Sequence, residues 1–349
     1  YNKAIFINPN YAQAYNNLGT VLHKLNKMNE AIKNYKKAID LKNNFAEAFN
    51  NLGNAMRELK KFDESLKYLE KAIRIKSDYA EAYNNLGATH EQLGDKKNAL
   101  ENYQKAIKIK PDYAEAYNNL GMLFSDLVRF DDALSSYNKA IDLNSNYEKP
   151  HNNLGNLFNN LGKFDEATSS YYKAIKIKAN YSKAYSNLLF NLNYKTNFDQ
   201  NLYLSEAKKF RSNCKLIKKN FSHKYCYEKK PKKLRIGFVS ADFGNHPGGF
   251  FTLSTFKELK KKNFELFAYS TAERKDELVS HFKPLFSKWH TVENSKDEEI
   301  VEIIIKDGIH ILIDAQGHSA KNRLPIFFYK PAPIQASWLS QGSTGILAF

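Results

Sequence analysis

The 349-residue chain is poor in several things at once. It has two cysteines, Cys214 and Cys226, too few for a disulfide framework and compatible with a reducing compartment, so a cytoplasmic setting is expected. It lacks any run of 18 apolar residues; its most apolar stretch, IVEIIIKDGIHILID, is interrupted by charge, which excludes a transmembrane helix. It shows no G-x-G-x-x-G fingerprint, no Walker phosphate loop and no D-x-D carboxylate pair, so neither a dinucleotide cofactor nor a metal-bound nucleotide has its usual anchors. Cys214, His223 and Cys226 have the wrong spacing and number for zinc, and no metal site is expected. With 42% hydrophobic and 26% charged residues the composition is that of a folded protein rather than a disordered one.

Acidic residues are also scarce relative to basic ones. The chain has 53 Lys and Arg against 37 Asp and Glu, a formal charge of +16. The excess peaks between Lys208 and Arg235, where twelve basic residues meet one acid, Glu228. Such a block attracts nucleic acid or anionic lipid in some proteins. No nucleic-acid-binding module accompanies it, so it reads as a solvated connector, and no specific nucleic-acid partner is expected.

What is abundant is repetition. An aromatic or histidine recurs at Tyr15, Phe49, Tyr83, Tyr117, His151 and Tyr185, every step 34 residues. Gly19, Gly53, Gly87, Gly121 and Gly155 keep the same register, as do Ala38, Ala72, Ala106, Ala140 and Ala174. This period and pattern resemble the tetratricopeptide repeat, a pair of amphipathic helices that buries its apolar stripe by stacking on its neighbours. The small residues mark close helix crossings, and the aromatics read as core. Five full units run from Ala12 to Tyr181. A sixth starts at Ser182 and loses the pattern at Leu189, where the glycine should stand. Tyr1 and Ala4 lie one period before Tyr35 and Ala38, so the chain is expected to begin inside a repeat's second helix.

A second series concerns binding. Asn17, Asn51, Asn85, Asn119, Asn153 and Asn187 recur on the first helix of each unit, the helix that lines the concave side of such solenoids. A carboxamide both donates and accepts, so a row of them can pair with both groups of a peptide unit. The row is a candidate grip for an extended peptide, read through its backbone.

Beyond the connector the period changes. LRIGFVS (234–240), FELFAYS (264–270), KWHTVE (288–293), IHILIDA (309–315) and PIQASWLS (333–340) read as strands. Residues 251–262 and 296–308 read as helices, and 273–287 as a helix broken at Pro284. This alternation predicts a parallel, doubly wound α/β sheet. The domain scheme is therefore a helical solenoid over 1–189, a basic helical connector over 190–232 and a Rossmann-like lobe over 233–349. Ligands of such sheets bind beyond the strands' carboxyl ends. Three polar, Gly-bearing segments fall there: ADFGNHPGG (241–249), DAQGHSAKNR (314–323) and SQGSTG (340–345). His246 and His318 are their titratable groups, able in principle to accept a hydroxyl proton near neutral pH.

Repeats followed by LRIGFVSADFGNHP, then DGIHILIDAQGHSAKNRL, then KPAPIQASWLSQGSTG resemble the O-linked N-acetylglucosamine transferase family, in its bacterial and SPINDLY-like branch. The resemblance covers nearly the whole chain. It implies a GT-B architecture whose acceptor-side lobe comes first. It implies transfer of N-acetylglucosamine from UDP-GlcNAc to Ser or Thr of a protein acceptor held by the repeats, with inversion and without metal or cofactor. By motif, His246 is a candidate base or acceptor-side contact, with Asn245 and Pro247 in its loop. His318, Ser343, Thr344 and Gly345 belong to cleft loops, Gln335 and Trp338 to a structural segment, and the asparagine row to peptide binding. DAQGH stands where relatives usually show DLSGH, and SQGSTG where many show GYPGTTG. The resemblance also implies a nucleotide-sugar lobe that this stretch does not contain, so the stretch alone is expected to be inactive. The competing expectation is a non-catalytic repeat scaffold that binds extended peptides.

Overall fold

A computed structural model describes residues 1–214, 223, 233–319 and 321–338. By packing, the chain divides into two units, Tyr1–Leu157 and Phe158–Phe349. The first holds helices α1 (Asn2–Ile7), α2 (Ala12–Lys24), α3 (Met28–Leu41), α4 (Ala46–Glu58), α5 (Phe62–Ile75), α6 (Ala80–Gln92), α7 (Lys96–Ile109), α8 (Ala114–Asp126) and α9 (Phe130–Leu143). Helix α10 (Glu148–Asn160) contains the dividing residue. The second unit continues with α11 (Phe164–Ile177), α12 (Ser182–Leu192) and α13 (Gln200–Cys214), then the α/β region.

Within each repeat the helices form because apolar residues recur three and four apart. On α3 the buried residues are Ala31, Tyr35 and Ala38, one stripe of a 3.6-residue helix. The repeat glycine is there for contact. A Cβ added to Gly87 would lie 2.8 Å from the Tyr103 ring, and one on Gly121 2.7 Å from Tyr137. Real side chains do not approach so closely, so the ring of the second helix occupies the space that a larger residue would need.

The turn between the two helices has its own period. Asn26, Lys60, Gly94, Val128 and Gly162, again 34 apart, all have positive φ, between +59° and +82°. The left-handed conformation ends the first helix and reverses the chain. Glycine adopts it freely and asparagine tolerably, whereas the branched side chain of Val128 makes it costly.

In the second unit β1 (Leu234–Ser240), β2 (Phe264–Ser270), β3 (Lys288–Thr291), β4 (Ile311–Asp314) and β5 (Ile334–Ser337) form one parallel sheet in the order β3-β2-β1-β4-β5. The predicted doubly wound sheet is present. The strand period of two sorts its faces. Ile236, Phe238, Leu266 and Ala268 pack with Phe256 of α14 (Pro247–Lys261) and Phe282 of α15 (Glu277–Phe282). Val239, Phe267, Tyr269 and Leu312 pack on the other side with Ile300 and Ile304 of α16 (Asp297–Asp307). That same cluster takes in Tyr185, Leu188 and Leu192 of α12 and Tyr203 and Phe210 of α13. The last repeat helices thus share a core with the sheet.

Three details differ from the sequence expectation. Helix α14 begins at Pro247, not at 251, because Pro247 occupies the first helical turn and His246 caps it. Strands β3, β4 and β5 are shorter than predicted. The stretch Leu324–Tyr329, left unassigned by the pattern, is a 3-10 helix whose Leu324, Ile326 and Phe327 are buried.

Candidate functional site

The site lies where strand order reverses. β1 is flanked by β2 on one side and β4 on the other, so the loops leaving β1 and β4 diverge and open a crevice at their carboxyl ends. A cavity of about 350 Å³ occupies it. Its lining includes Asp242, His246 and Thr252 from the first loop and helix, Gln316 and Ser319 from the second loop, and Phe190 from α12.

The first loop is shaped by close backbone approach. A Cβ on Gly249 would fall 2.1 Å from the Gly244 carbonyl oxygen, so only glycine allows the loop to fold back on the start of α14. Arg274, just after β2, secures both ends of the loop. Its Nε donates to the Ala241 carbonyl at 2.7 Å and its Nη1 to the Asn245 carbonyl at 3.4 Å. Its guanidinium also lies 3.8 Å from Asp242. Burial pushes the Asp242 carboxyl upward from its ordinary range, and His246 and Arg274 pull against that.

His246 serves as the N-cap of α14. Its backbone is extended, and its Nδ1 accepts from the Gly248 amide at 3.1 Å. Nδ1 also lies 3.4 Å from the Asp242 carboxylate. A neutral ring whose Nδ1 accepts must carry its proton on Nε2. In that state His246 offers the cleft a donor. To offer a lone pair at Nε2 instead, the Nδ1 proton would have to turn to Asp242, at the expense of the cap.

The second loop starts at Asp314. This buried carboxylate accepts from the amides of Gln316 and Gly317 at 3.0 to 3.1 Å. Burial pushes its pKa up to about 6, against the opposing effect of those bonds. Gln316 then bridges the strand ends: its Oε1 accepts from the Ala241 amide at 2.9 Å and from the Thr271 hydroxyl at 3.3 Å. His318 is buried and does not line the cavity. Its Nδ1 lies 3.2 Å from the Ser186 hydroxyl, and its ring meets Phe210 edge-on at 5.4 Å.

Of the residues singled out from the sequence, His246 and Pro247 line the cavity, and Asn245 is exposed beside it. Ser343, Thr344 and Gly345 lie outside the described residues. Gln335 donates to the Phe327 carbonyl at 3.1 Å, and Trp338 packs edge-on against Phe238 and Phe256. Asp242 and Gln316 fall inside the two loops that the sequence marks but are not singled out by it, and Arg274 and Phe190 lie outside those loops. An acid four residues before His246 was the one local signal available; the others meet only through tertiary structure.

The asparagine row has a partner row. In the first unit each amide donates back one repeat to a buried asparagine: Asn51 to Asn16 at 3.0 Å, Asn85 to Asn50 at 2.9 Å, Asn119 to Asn84 at 3.0 Å and Asn153 to Asn118 at 2.9 Å. This fixes which end of each amide faces which way. Asn51 also donates to the Thr20 hydroxyl at 3.4 Å, and the carbonyls of Asn119 and Asn153 accept from Asn118 and Asn152 at 3.4 Å, so what each amide offers a ligand is chiefly its carbonyl's remaining capacity. Asn17 accepts from Gln13 at 3.1 Å, and Asn187 is half-buried on α12.

Comparison with known proteins agrees with this architecture. Residues 206–349 match glycosyl transferase family 41, and tetratricopeptide repeat families match 1–33, 19–60, 44–112, 114–147 and 149–181. A probable UDP-N-acetylglucosamine–peptide N-acetylglucosaminyltransferase SEC of Arabidopsis thaliana is 37% identical over 116 residues, 33% of this chain and 12% of that protein. The UDP-N-acetylglucosamine–peptide N-acetylglucosaminyltransferase of Caenorhabditis elegans is 36% identical over 121 residues, 34% of this chain and 10% of that one. Among solved structures, a mutant O-GlcNAc transferase of Thermobaculum terrenum superposes with a TM-score of 0.64 at 26% identity, over 76% of this chain and 51% of its own. A solenoid that matches tetratricopeptide repeats therefore leads into a lobe similar to glycosyl transferase family 41. The chain is thus similar to O-linked N-acetylglucosamine transferases in both of its parts. It spans about a tenth of the length of those two curated relatives and about half of the solved transferase.

Proposed function

We propose that the chain is the acceptor-binding part of a protein O-glycosyltransferase that moves N-acetylglucosamine from UDP-GlcNAc to a Ser or Thr hydroxyl. The asparagine row holds the acceptor as an extended peptide, and the cavity at the β1/β4 crevice receives the reacting hydroxyl. In this reading the hydroxyl oxygen attacks the anomeric carbon as the bond to the diphosphate breaks, and the hydroxyl proton passes to the departing diphosphate. Inversion follows from attack opposite the leaving group, with no metal or cofactor required. The observation that carries the reading is that one cavity is lined both by His246 of the sheet loop and by Phe190 of the last repeat helix.

His246 acts here as an acceptor-side contact, donating from Nε2–H to an oxygen in the cleft. The Gly248 amide on Nδ1 supports this, because that bond puts the ring proton on Nε2. His246→Asn separates the two roles proposed for this residue. Asparagine caps a helix well and still donates. Sugar transfer by the gene product carrying this chain should then fall by about tenfold or less. A loss of about a hundredfold or more, the range typical of general acid–base catalysis, would establish His246 as the base instead.

The scaffold reading keeps peptide binding and drops transfer. Absence of labelled sugar on any acceptor peptide that binds the repeats would favour it.

A further inference from the structure

We propose that Ser186 is a positioning residue for the cavity: its hydroxyl anchors His318 and thereby ties the last repeat helix to the loop carrying Gln316 and Ser319. The inference rests on the transferase reading only for its effect on turnover; its structural content is independent of that reading.

Ser186 stands where the repeat pattern calls for an amide. The buried series is Asn16, Asn50, Asn84, Asn118, Asn152 and then Ser186, each 34 residues on. In the first unit, Asn16, Asn50, Asn84 and Asn118 accept a hydrogen bond from the following repeat. At 186 the shorter side chain meets His318 at 3.2 Å. Both residues are buried, Ser186 at 5% exposure and His318 at 4%, and Phe210 packs edge-on against the imidazole. An asparagine at 186 would bring two more heavy atoms into a filled space.

What Ser186 holds matters to the cavity. The loop 314–319 is pinned at its start by the Asp314 carboxylate on the Gln316 and Gly317 amides, and at its end by His318 on Ser186. Between them Gln316 bridges to Ala241 and Thr271, and next to His318 stands Ser319; Gln316 and Ser319 both line the cavity. Helix α12 reaches the cavity directly through Phe190, four residues on and so on the same helical face as Ser186. One face of one helix therefore sets both a wall of the cavity and the anchor of the loop opposite.

The test uses Ser186→Ala, Ser186→Thr and Ser186→Asn in the full chain, with folding checked by circular dichroism. In Ser186→Ala the ¹⁵N resonance of His318 Nδ1 should move, and the amides of 317–319 should exchange about tenfold faster or more, as a lost buried hydrogen bond allows. Threonine keeps the hydroxyl and should restore both readouts. Asparagine should not, although it restores the repeat pattern. In the gene product carrying this chain, Ser186→Ala should lower kcat while peptide affinity for the repeats stays within about twofold. An unmoved His318 resonance with unchanged loop exchange would overturn the proposal. So would a freed loop that leaves kcat intact. Complete lack of transfer by the unaltered protein would refute the transferase reading, and the resonance and exchange measurements would still decide the role of Ser186.

Discussion

The repeats and the α/β lobe solve the same packing problem by opposite means. Each repeat reuses one solution: a small residue on the first helix against a large ring or side chain on the second, and a left-handed residue at the turn. The lobe uses each contact once. Phe256 meets Phe238 at 4.8 Å, edge to face, within a group of rings that includes Phe243, Phe282 and Phe286. A solution used repeatedly tolerates a flawed copy, since a stacked array is held by many similar neighbour terms. A contact used once has no substitute. Fragility is therefore concentrated in the lobe.

The largest effect should therefore come from the lobe. Phe256→Ala removes a fully buried ring at the centre of that group, and unfolding free energy should drop by about 3–5 kcal/mol in a denaturant titration. A drop under about 1 kcal/mol would show that the ring group can close over the gap.

Next comes Asp314, whose pKa rises from 3.8 to about 6 on folding. A raised folded value means that the group's favourable contribution is complete below 3.8 and is lost as pH rises through about 6. The ionised carboxylate should thus cost about 3 kcal/mol at pH 7 relative to acid conditions. Asp314→Asn cannot ionise. The stability of the native chain relative to this variant should fall by about 3 kcal/mol between roughly pH 3 and pH 7. Parallel pH profiles for the two proteins would contradict the burial argument.

The smallest effect should come from the repeats, and it should be a gain. Val128 is exposed and holds φ at +60°, where Gly94 and Gly162 hold the same place in other copies. Val128→Gly relieves about 1 kcal/mol of backbone strain, less what glycine gives back in the unfolded chain. A small rise in melting temperature checks it; a fall would mean that the turn is not strained.

The same contrast explains what could be read in advance. The repeat helices were legible because five copies state their pattern five times, so the Gly, Ala and aromatic positions stand out against the variable ones. The asparagine row was visible for that reason, yet its pairing with Asn16, Asn50, Asn84 and Asn118 was not, because a period shows which residues are equivalent and not which ones touch. In the lobe, the apolar runs announced all five strands. Their order did not follow from them, nor did the meeting of Arg274, Asp242 and His246 across two loops. The start of α14 was missed because Pro-Gly-Gly looks like a loop unless the preceding His246 is recognised as its cap. His246 itself stood out by chemistry, whereas Gln316 and Phe190 became site residues only when the sheet loops and α12 came together.

The paired amides of the first unit have a further consequence. In every pair the donor belongs to the later repeat and the acceptor to the earlier one. The row is therefore a vector, with a head and a tail. A strand laid along it in one direction and the same strand laid in reverse would meet mirror-unlike surroundings at every step. The track is inherently directional before any ligand arrives.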